Sequence, residues 1–364
     1  MLVSGREVAV TNPDKMFFPK DGITKGDLVQ YYVDVAPYCL NHVQRRPMQM
    51  KRHPNGVEGD FFYQKRIPNP HPDWLDTIHI QYPSGNEVDF PVVTDAAGLA
   101  WIANLGCIEM HTWHSRVPEY WKPDYMLLDL DPRESGDTWE GVREIAMVVK
   151  AVLDELELPS FPKTSGSTGI HILTPIVPEL PFPEVRRLAK AIANLVAERI
   201  PKATTTWVVK DRTGVFVDYG QNAFDRTIAS AYSIRPVPEA RASAPLRWDE
   251  VPDVDHNDFT LRTMRDRIAK VGDLTADLWA KPVSLLGLFK TLKLKDPVID
   301  DRVLVKPSRM ASLSEEERKE MFDKAKASGW NRGKSRWPPK PDAKPPKAAK
   351  ADAKTADRKD PSES

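Results

Sequence analysis

Tyr125-Met126-Leu127-Leu128-Asp129-Leu130-Asp131-Pro132 decides the reading of this chain. In a strand, residues i and i+2 point to one face. Asp129 and Asp131 therefore project together, while Leu128 and Leu130 point the other way, into a core. Pro132 ends the strand, because it has no N–H for the ladder. Two ionised carboxylates about 6 Å apart, at an effective dielectric of about 20, repel by roughly 3 kcal/mol. A third acid, Asp218, ends the run Val215-Phe216-Val217-Asp218. Such a cluster makes sense where cations fill it. Hard cations such as Mg²⁺ or Mn²⁺ take carboxylate oxygens together with phosphates and water. Taken alone, the Asp-Leu-Asp-Pro element is equally a strand-end Asp followed by an Asp-Pro turn.

Between these acids lies Ser165-Gly166-Ser167-Thr168-Gly169-Ile170-His171. Glycines let backbone N–H groups approach an anion closely, and Ser hydroxyls and a His N–H can donate to phosphate oxygens. It is not a Walker loop, since Gly-Lys-Ser/Thr is missing. In isolation the same residues describe a tight turn and a core histidine. Upstream, Lys51-Arg52-His53-Pro54-Asn55-Gly56 precedes Phe61-Phe62-Tyr63-Gln64-Lys65. Cations beside adjacent aromatics suit phosphates and stacked bases. The plainer reading is a hairpin turning at Asn55-Gly56, with one of Phe61 and Phe62 facing a core. Asn12-Pro13-Asp14-Lys15, with Lys20 and Lys25, makes a second basic cluster.

Composition bounds the function without naming it. The 364 residues, 41% hydrophobic and 29% charged, suffice for one large domain or two small ones. Formal net charge is zero, so bulk charge gives no argument for nucleic acid; a basic groove requires segregated charge. The two cysteines, Cys39 and Cys107, have no zinc spacing and lie in apolar patterns read as helical. They are expected to be buried fillers of a protein in a reducing cytosol. Residues 1–10 lack the apolar core of a signal peptide, and no run reaches transmembrane length. The expectation is a cytoplasmic, nucleoid-associated protein with no membrane partner.

The pattern of elements predicts an α/β (α+β) fold, a mixed and largely antiparallel sheet flanked by helices. Helices are expected over 24–40, with Thr24 as N-cap and Asp27 three residues on, and after Asp95. Asp137 and Glu140 have capping-box spacing before the stripe Val142, Ile145, Ala146, Val149, Val152, Leu153 and Leu156. Another helix is expected over 183–200, with Pro183 suited to its first turn. Strands are expected at 125–131, 169–174, 206–210 and 214–219, the last two as a hairpin across Asp211-Arg212-Thr213-Gly214. The catalytic domain is expected over 1–295, with a helical extension over 296–330 containing a helix at 313–328. Residues 331–364 carry ten Lys+Arg and five Asp+Glu with almost no apolar content. Such a segment is expected to be disordered, either solubilising the protein or adding nucleic-acid affinity.

Read together, these blocks resemble the polymerase domain of bacterial ATP-dependent DNA ligase D, a branch of the archaeo-eukaryotic primase superfamily. The resemblance runs from about residue 11 to 290. It is carried by Thr-Asn-Pro-Asp-Lys at 11–15, Arg52-His53-Pro54-Asn55-Gly56 with Phe61-Phe62, and Glu109-Met110-His111. It continues through the Asp129/Asp131 element, Lys163-Thr164-Ser165-Gly166-Ser167 to His171, Val217-Asp218-Tyr219-Gly220-Gln221-Asn222 and Tyr232-Ser233-Ile234-Arg235. The resemblance implies a primase-polymerase fold that adds ribo- or deoxynucleotides to a primer 3′-hydroxyl at gaps or broken ends. It implies that Asp129, Asp131 and Asp218 hold two divalent ions, Mn²⁺ or Mg²⁺. Lys51, His111, Ser165, Ser167, His171, Gln221 and Arg235 would face the incoming nucleotide. Arg52, Phe61 and Phe62 would meet template DNA, and Asn12, Lys15 and Lys25 would receive a downstream 5′-phosphate. Implied partners are gapped or broken duplex DNA, NTP or dNTP, and a DNA ligase and a DNA-end binding protein acting in trans. Thr168 departs from the lysine often found in this loop. No Lys-x-Asp-Gly motif occurs, so a stand-alone form without the ligase module is expected.

Two other classes compete. A DxD glycosyltransferase would bind nucleotide-sugar phosphates, but does not require the 165–171 loop with a third Asp ending a strand. A non-catalytic DNA-end binding module would leave three carboxylates repelling phosphates.

Overall fold

The computed structural model describes residues 1–82, 85–132 and 138–299, all within one compact unit. Two sheets organise the molecule. The larger has five strands in the spatial order Phe161–Thr164, Ile170–Pro175, Tyr125–Asp131, Val215–Asp218, Ala203–Thr204. Every neighbouring pair is antiparallel except the last, which is parallel. The second sheet is antiparallel throughout, in the order Thr227–Ala229, Cys107–Trp113, Met48–Arg52, Phe62–Gln64. A separate ribbon pairs Asp76–Gln81 with Glu87–Val92. The expected α/β fold with a mixed central sheet is the fold observed.

The period-two pattern of the 125–131 run sets how the layers stack. Met126, Leu128 and Leu130 join the main core, where the helices Trp139–Glu155 and Phe182–Arg199 lie on the sheet. Val142, Ile145, Ala146, Val149, Val152 and Leu153 are all buried there. Each Val, Leu or Ile removed from water in this way contributes about 1.5–3 kcal/mol. On the opposite face, Tyr125 and Leu127 pack with Leu173 against Ile228 and Trp279. Ile228 belongs to the second sheet, so the Asp-bearing face of the first sheet looks toward the second. Asn222 reinforces this junction. Its side chain accepts from the Leu127 N–H at 2.8 Å and donates to the Leu127 carbonyl at 2.7 Å, standing in for a strand partner.

Local chemistry explains the ends of the helices and several departures from expectation. Thr24 and Asp27 form the reciprocal capping box anticipated, but the helix stops at Asp34 and a second runs Ala36–Val43. Pro37 sits in the first turn of the second helix, where its missing N–H costs nothing. Asp95 caps Ala96–Asn104. Thr138 caps Trp139–Glu155, its side chain accepting from Gly141 N–H, whereas Asp137 lies outside the described residues. Cys39 is helical, but Cys107 opens a strand; both are buried.

The hairpin expected across 211–214 does not form. Val215 N–H instead donates to the Lys202 carbonyl at 2.9 Å, and Ala203–Thr204 pairs in parallel with the strand leading to Asp218. Gly214 makes this approach possible: at φ +85° its position leaves only 2.0 Å between a Cβ and the Lys202 oxygen. The Arg212 side chain, donating to the Thr206 and Trp207 carbonyls, closes the intervening loop where a backbone ladder was expected. No helix among the described residues is long and apolar enough to cross a membrane. The helix expected at 313–328 and the segment 331–364 lie outside the described residues.

Candidate active site

Strand register assembles the acidic site. Asp129 sits opposite His171 on one neighbouring strand and opposite Asp218 on the other. Asp131, two residues on, shares the Asp129 face and is exposed. Burial raises the Asp129 carboxyl to about 8, with added repulsion from Asp218 and Asp131. Burial also raises Asp218, and partial desolvation raises the Asp131 carboxyl although that residue as a whole is exposed. The Gly220 N–H at 2.6 Å and the Gln221 side-chain amide at 3.2 Å donate to Asp218 and partly offset this. Three hard oxygen donors that destabilise one another when ionised match the chemistry of Mg²⁺ or Mn²⁺. Among the described residues, no three His, Cys, Asp or Glu side chains close into a ligand shell. The acids form an open face, which suits ions whose coordination is completed by substrate phosphates and water.

His171 is fixed from behind. Its Nδ1 lies 2.6 Å from Lys163 Nζ, and its Nε2 lies 3.4 Å from Asp129 Oδ1. Lys163 also donates to the Ala229 carbonyl at 2.8 Å and to Ser243 Oγ at 2.7 Å, so one buried amino group ties the two sheets together. Burial holds both Lys163 and His171 well below their ordinary pKa values. Nε2 is the ring nitrogen that faces the acids.

The 165–171 loop is held against the end of the Asp129 strand. A Cβ at Gly169 would stand 2.2 Å from the Leu130 carbonyl oxygen. Gly166 has φ +73°, and a Cβ there would lie 2.7 Å from Arg235 Cγ. Ser165 Oγ accepts from the Ser167 N–H at 3.1 Å and the Gly169 N–H at 3.0 Å, so the buried hydroxyl shapes the loop. Ser167 is half-buried and Thr168 is exposed.

Glu109 joins this loop to the second sheet, a role not foreseen from its place in the Glu109-Met110-His111 block. It is fully buried, with Lys51 at 2.7 Å, Arg235 at 2.6 Å and His111 at 3.4 Å. Burial alone would raise its pKa. The adjacent His111 ring and the Arg235 and Lys51 charges outweigh that and keep it ionised. Arg235 also donates to the Ser165 carbonyl at 2.8 Å. Lys51, His111, Arg235 and the loop therefore form one connected group around a single carboxylate. The signals for Glu109 and Lys163 were present: each is a charge inside a strand that is otherwise buried.

Two further clusters adjoin it. Phe61 and Phe62 are 48% and 45% exposed, so neither faces a core as the plainer hairpin reading required. The strand pairing does follow the hairpin, with Arg52 opposite Phe62. Phe61 stacks on His53 with centroids 5.2 Å apart, Lys51 Nζ lies 4.6 Å from its ring, and Arg52 sits 5.3 Å from that of Phe62. In the other cluster Lys15 donates to Asn55 Oδ1 at 2.7 Å. Lys25 donates to the Thr11 carbonyl at 2.6 Å, and burial, with Lys15 and Arg52 nearby, lowers its pKa to about 8. Asn12 adopts φ +48° at this turn. Gly56 lets the 53–57 turn dock here; a Cβ would fall 2.7 Å from the Phe17 carbonyl oxygen.

A mixed sheet bearing three acids, facing a second sheet that supplies cations, defines a protein of the primase-polymerase class. Residues 24–275 match the model of the LigD primase-polymerase domain, and the chain belongs to that family. It is 34% identical over 275 residues to the multifunctional non-homologous end joining protein LigD of Mycolicibacterium smegmatis, covering 74% of this chain and 36% of that protein. It is 32% identical to the bifunctional non-homologous end joining protein LigD of Bacillus subtilis, covering 75% of this chain and 44% of that one. The chain thus spans less than half the length of these relatives. The polymerase domain of Mycobacterium tuberculosis Ligase D, solved in complex with DNA, superposes with a TM-score of 0.71 at 33% identity. That match covers 76% of this chain and 99% of the solved one.

Proposed function

We propose that this chain is a template-dependent nucleotidyltransferase of DNA repair, extending a primer 3′-hydroxyl at gaps or broken DNA ends. The observation that carries the reading is the row His171–Asp129–Asp218 across three neighbouring strands. It sets a phosphate-facing group and two carboxylates in line, each separated by one strand spacing of about 4.8 Å.

On one side of Asp129, His171, Arg235, Lys51 and the 165–171 loop bind the triphosphate of NTP or dNTP, with His111, Ser167 and Gln221 nearby. On the other side Asp218 faces the primer end. Asp129, Asp131 and Asp218 would hold the divalent ions, which when bound lower the pKa of the 3′-hydroxyl and neutralise charge on the attacking and leaving oxygens. The protein orients the reactants and needs no side-chain general base. Phe61 and Phe62 stack on template bases with Arg52 beside them. Asn12, Lys15 and Lys25 receive a downstream 5′-phosphate. A ligase and a DNA-end binding protein acting in trans would complete the repair.

Extension across a short gapped duplex tests this. Ribo- and deoxynucleotides, Mn²⁺ and Mg²⁺, and 5′-phosphate and 5′-hydroxyl gaps are compared, with Asp129→Ala/Asp131→Ala as control. Templated addition that the control lacks is expected. No addition under any of these conditions would overturn the reading.

A further inference from the structure

A half-exposed tryptophan stands beside the acidic row. Trp207 is 49% exposed. Its ring meets Phe216 edge-on with centroids 5.9 Å apart and lies 6.2 Å from Tyr219. The Arg186 guanidinium is 5.6 Å from the indole centroid. Indole Cη2 lies 2.4 Å from the point a Cβ at Gly220 would occupy, and Asp218 Oδ1 lies 2.9 Å from that same point. The ring edge therefore packs against Gly220, beside the Asp218 carboxylate, where no side chain larger than hydrogen would fit.

We propose that Trp207 is the stacking platform for the 3′-terminal nucleotide of the strand being extended. This rests on the polymerase reading and adds a subsite to it. The sheet register supplies the direction. Ser165, Arg235 and His171 all lie on the His171 side of Asp129, which assigns the triphosphate there. The reactant carrying the hydroxyl then approaches from the Asp218 side, where the half-exposed indole lies. Charge agrees with a strand as the occupant. Arg186 and Lys190 lie one turn apart on Phe182–Arg199, and Lys190 Nζ is 5.9 Å from the Tyr219 ring. Among the described residues both make ring contacts and no ion pair with a carboxylate. Stacking on an aromatic ring with cations along the backbone is the chemistry of single-strand binding. A free nucleotide would use the ring but gain little from the second cation.

The test is binding of a fluorescein-labelled primer–template whose primer ends in a 3′-dideoxynucleotide, read by anisotropy, beside steady-state extension of the unblocked duplex. Trp207→Ala is expected to weaken primer–template binding and raise its KM about tenfold or more, the scale of one lost base stack. The nucleotide KM should stay within twofold, and Trp207→Phe should retain most of the affinity. Lys190→Ala should flatten the salt dependence of binding by about one phosphate contact. Unchanged primer–template affinity in Trp207→Ala, or a rise in nucleotide KM alone, would overturn the assignment. Trp207-dependent strand binding by a wild-type protein that extends nothing would instead sink the polymerase reading and leave this subsite standing.

Discussion

Asp129 and Asp218 are direct partners across an antiparallel strand pair, and no cation-bearing side chain is placed between them in the ladder. Burial raises the cost of ionising both, and Asp218 adds repulsion at Asp129. If divalent ions relieve that cost, Mn²⁺ should stabilise the folded protein by mass action, since the unfolded chain has no such site. A rise of several degrees in Tm at saturating Mn²⁺ is expected for wild type and not for Asp129→Asn/Asp218→Asn. The same variant should lose at least about 100-fold in extension rate, the scale of one lost preorganised electrostatic group. Its DNA affinity should persist. Calorimetry and primer extension check both.

Glu109 presents the reverse situation, one carboxylate among cations. Removing one member of a buried pair costs about 3–5 kcal/mol, because the remaining charges are left uncompensated. Glu109→Gln is expected to destabilise on that scale in urea unfolding. Since it holds Lys51 and Arg235, its nucleotide KM should rise more than its primer–template KM. An equal rise in both would remove Glu109 from the nucleotide side of the site.

How much of this was legible in the sequence depends on whether the signal was local. Asp129 and Asp131 declared themselves because a two-residue period is a property of one strand, and the alternating Leu128 and Leu130 proved to be core. Thr24, Asp27 and Asp95 were legible as caps for the same reason. Glu109 and Lys163 were not assigned roles, because their partners lie on other strands: Lys51 is opposite Glu109 only once the second sheet has its register. The 211–214 segment misled because its polar residues look like a tight turn. The competing bond from Val215 to the Lys202 carbonyl spans thirteen positions and leaves no periodic trace. Phe61 and Phe62 were ambiguous since consecutive strand residues point to opposite faces. Here both stay exposed beside cations, at the edge strand of the second sheet.

That exposure makes the pair a clean probe. Phe61→Ala and Phe62→Ala should each change stability by no more than about 0.5 kcal/mol, as expected for exposed positions. Each should weaken template binding by about fivefold or more, if each stacks one base. Matched losses of stability and affinity would point to a structural role. The comparison needs only melting curves and anisotropy on the same preparations.

Lys25 allows the proposed 5′-phosphate pocket to be tested by pH. Its pKa in the folded protein is lowered from 10.5 to about 8, first by burial and then by Lys15 and Arg52. A depressed lysine pKa means the fold disfavours the ammonium, so this group destabilises the protein below about 8. The penalty fades as pH rises through 8 toward 10.5. Phosphate binding needs the opposite state, since only the ammonium donates and attracts. Preference for a 5′-phosphorylated gap over a 5′-hydroxyl gap should therefore be full near pH 7 and fall between pH 8 and 9. Lys25→Arg keeps its charge across this range and should flatten the profile. Lys15→Ala/Lys25→Ala should abolish the preference at every pH. The measurement is the ratio of kcat/KM on the two gaps from pH 6.5 to 9.5. A ratio that stays constant in wild type while the double variant loses it would show that Lys15, and not Lys25, carries the phosphate.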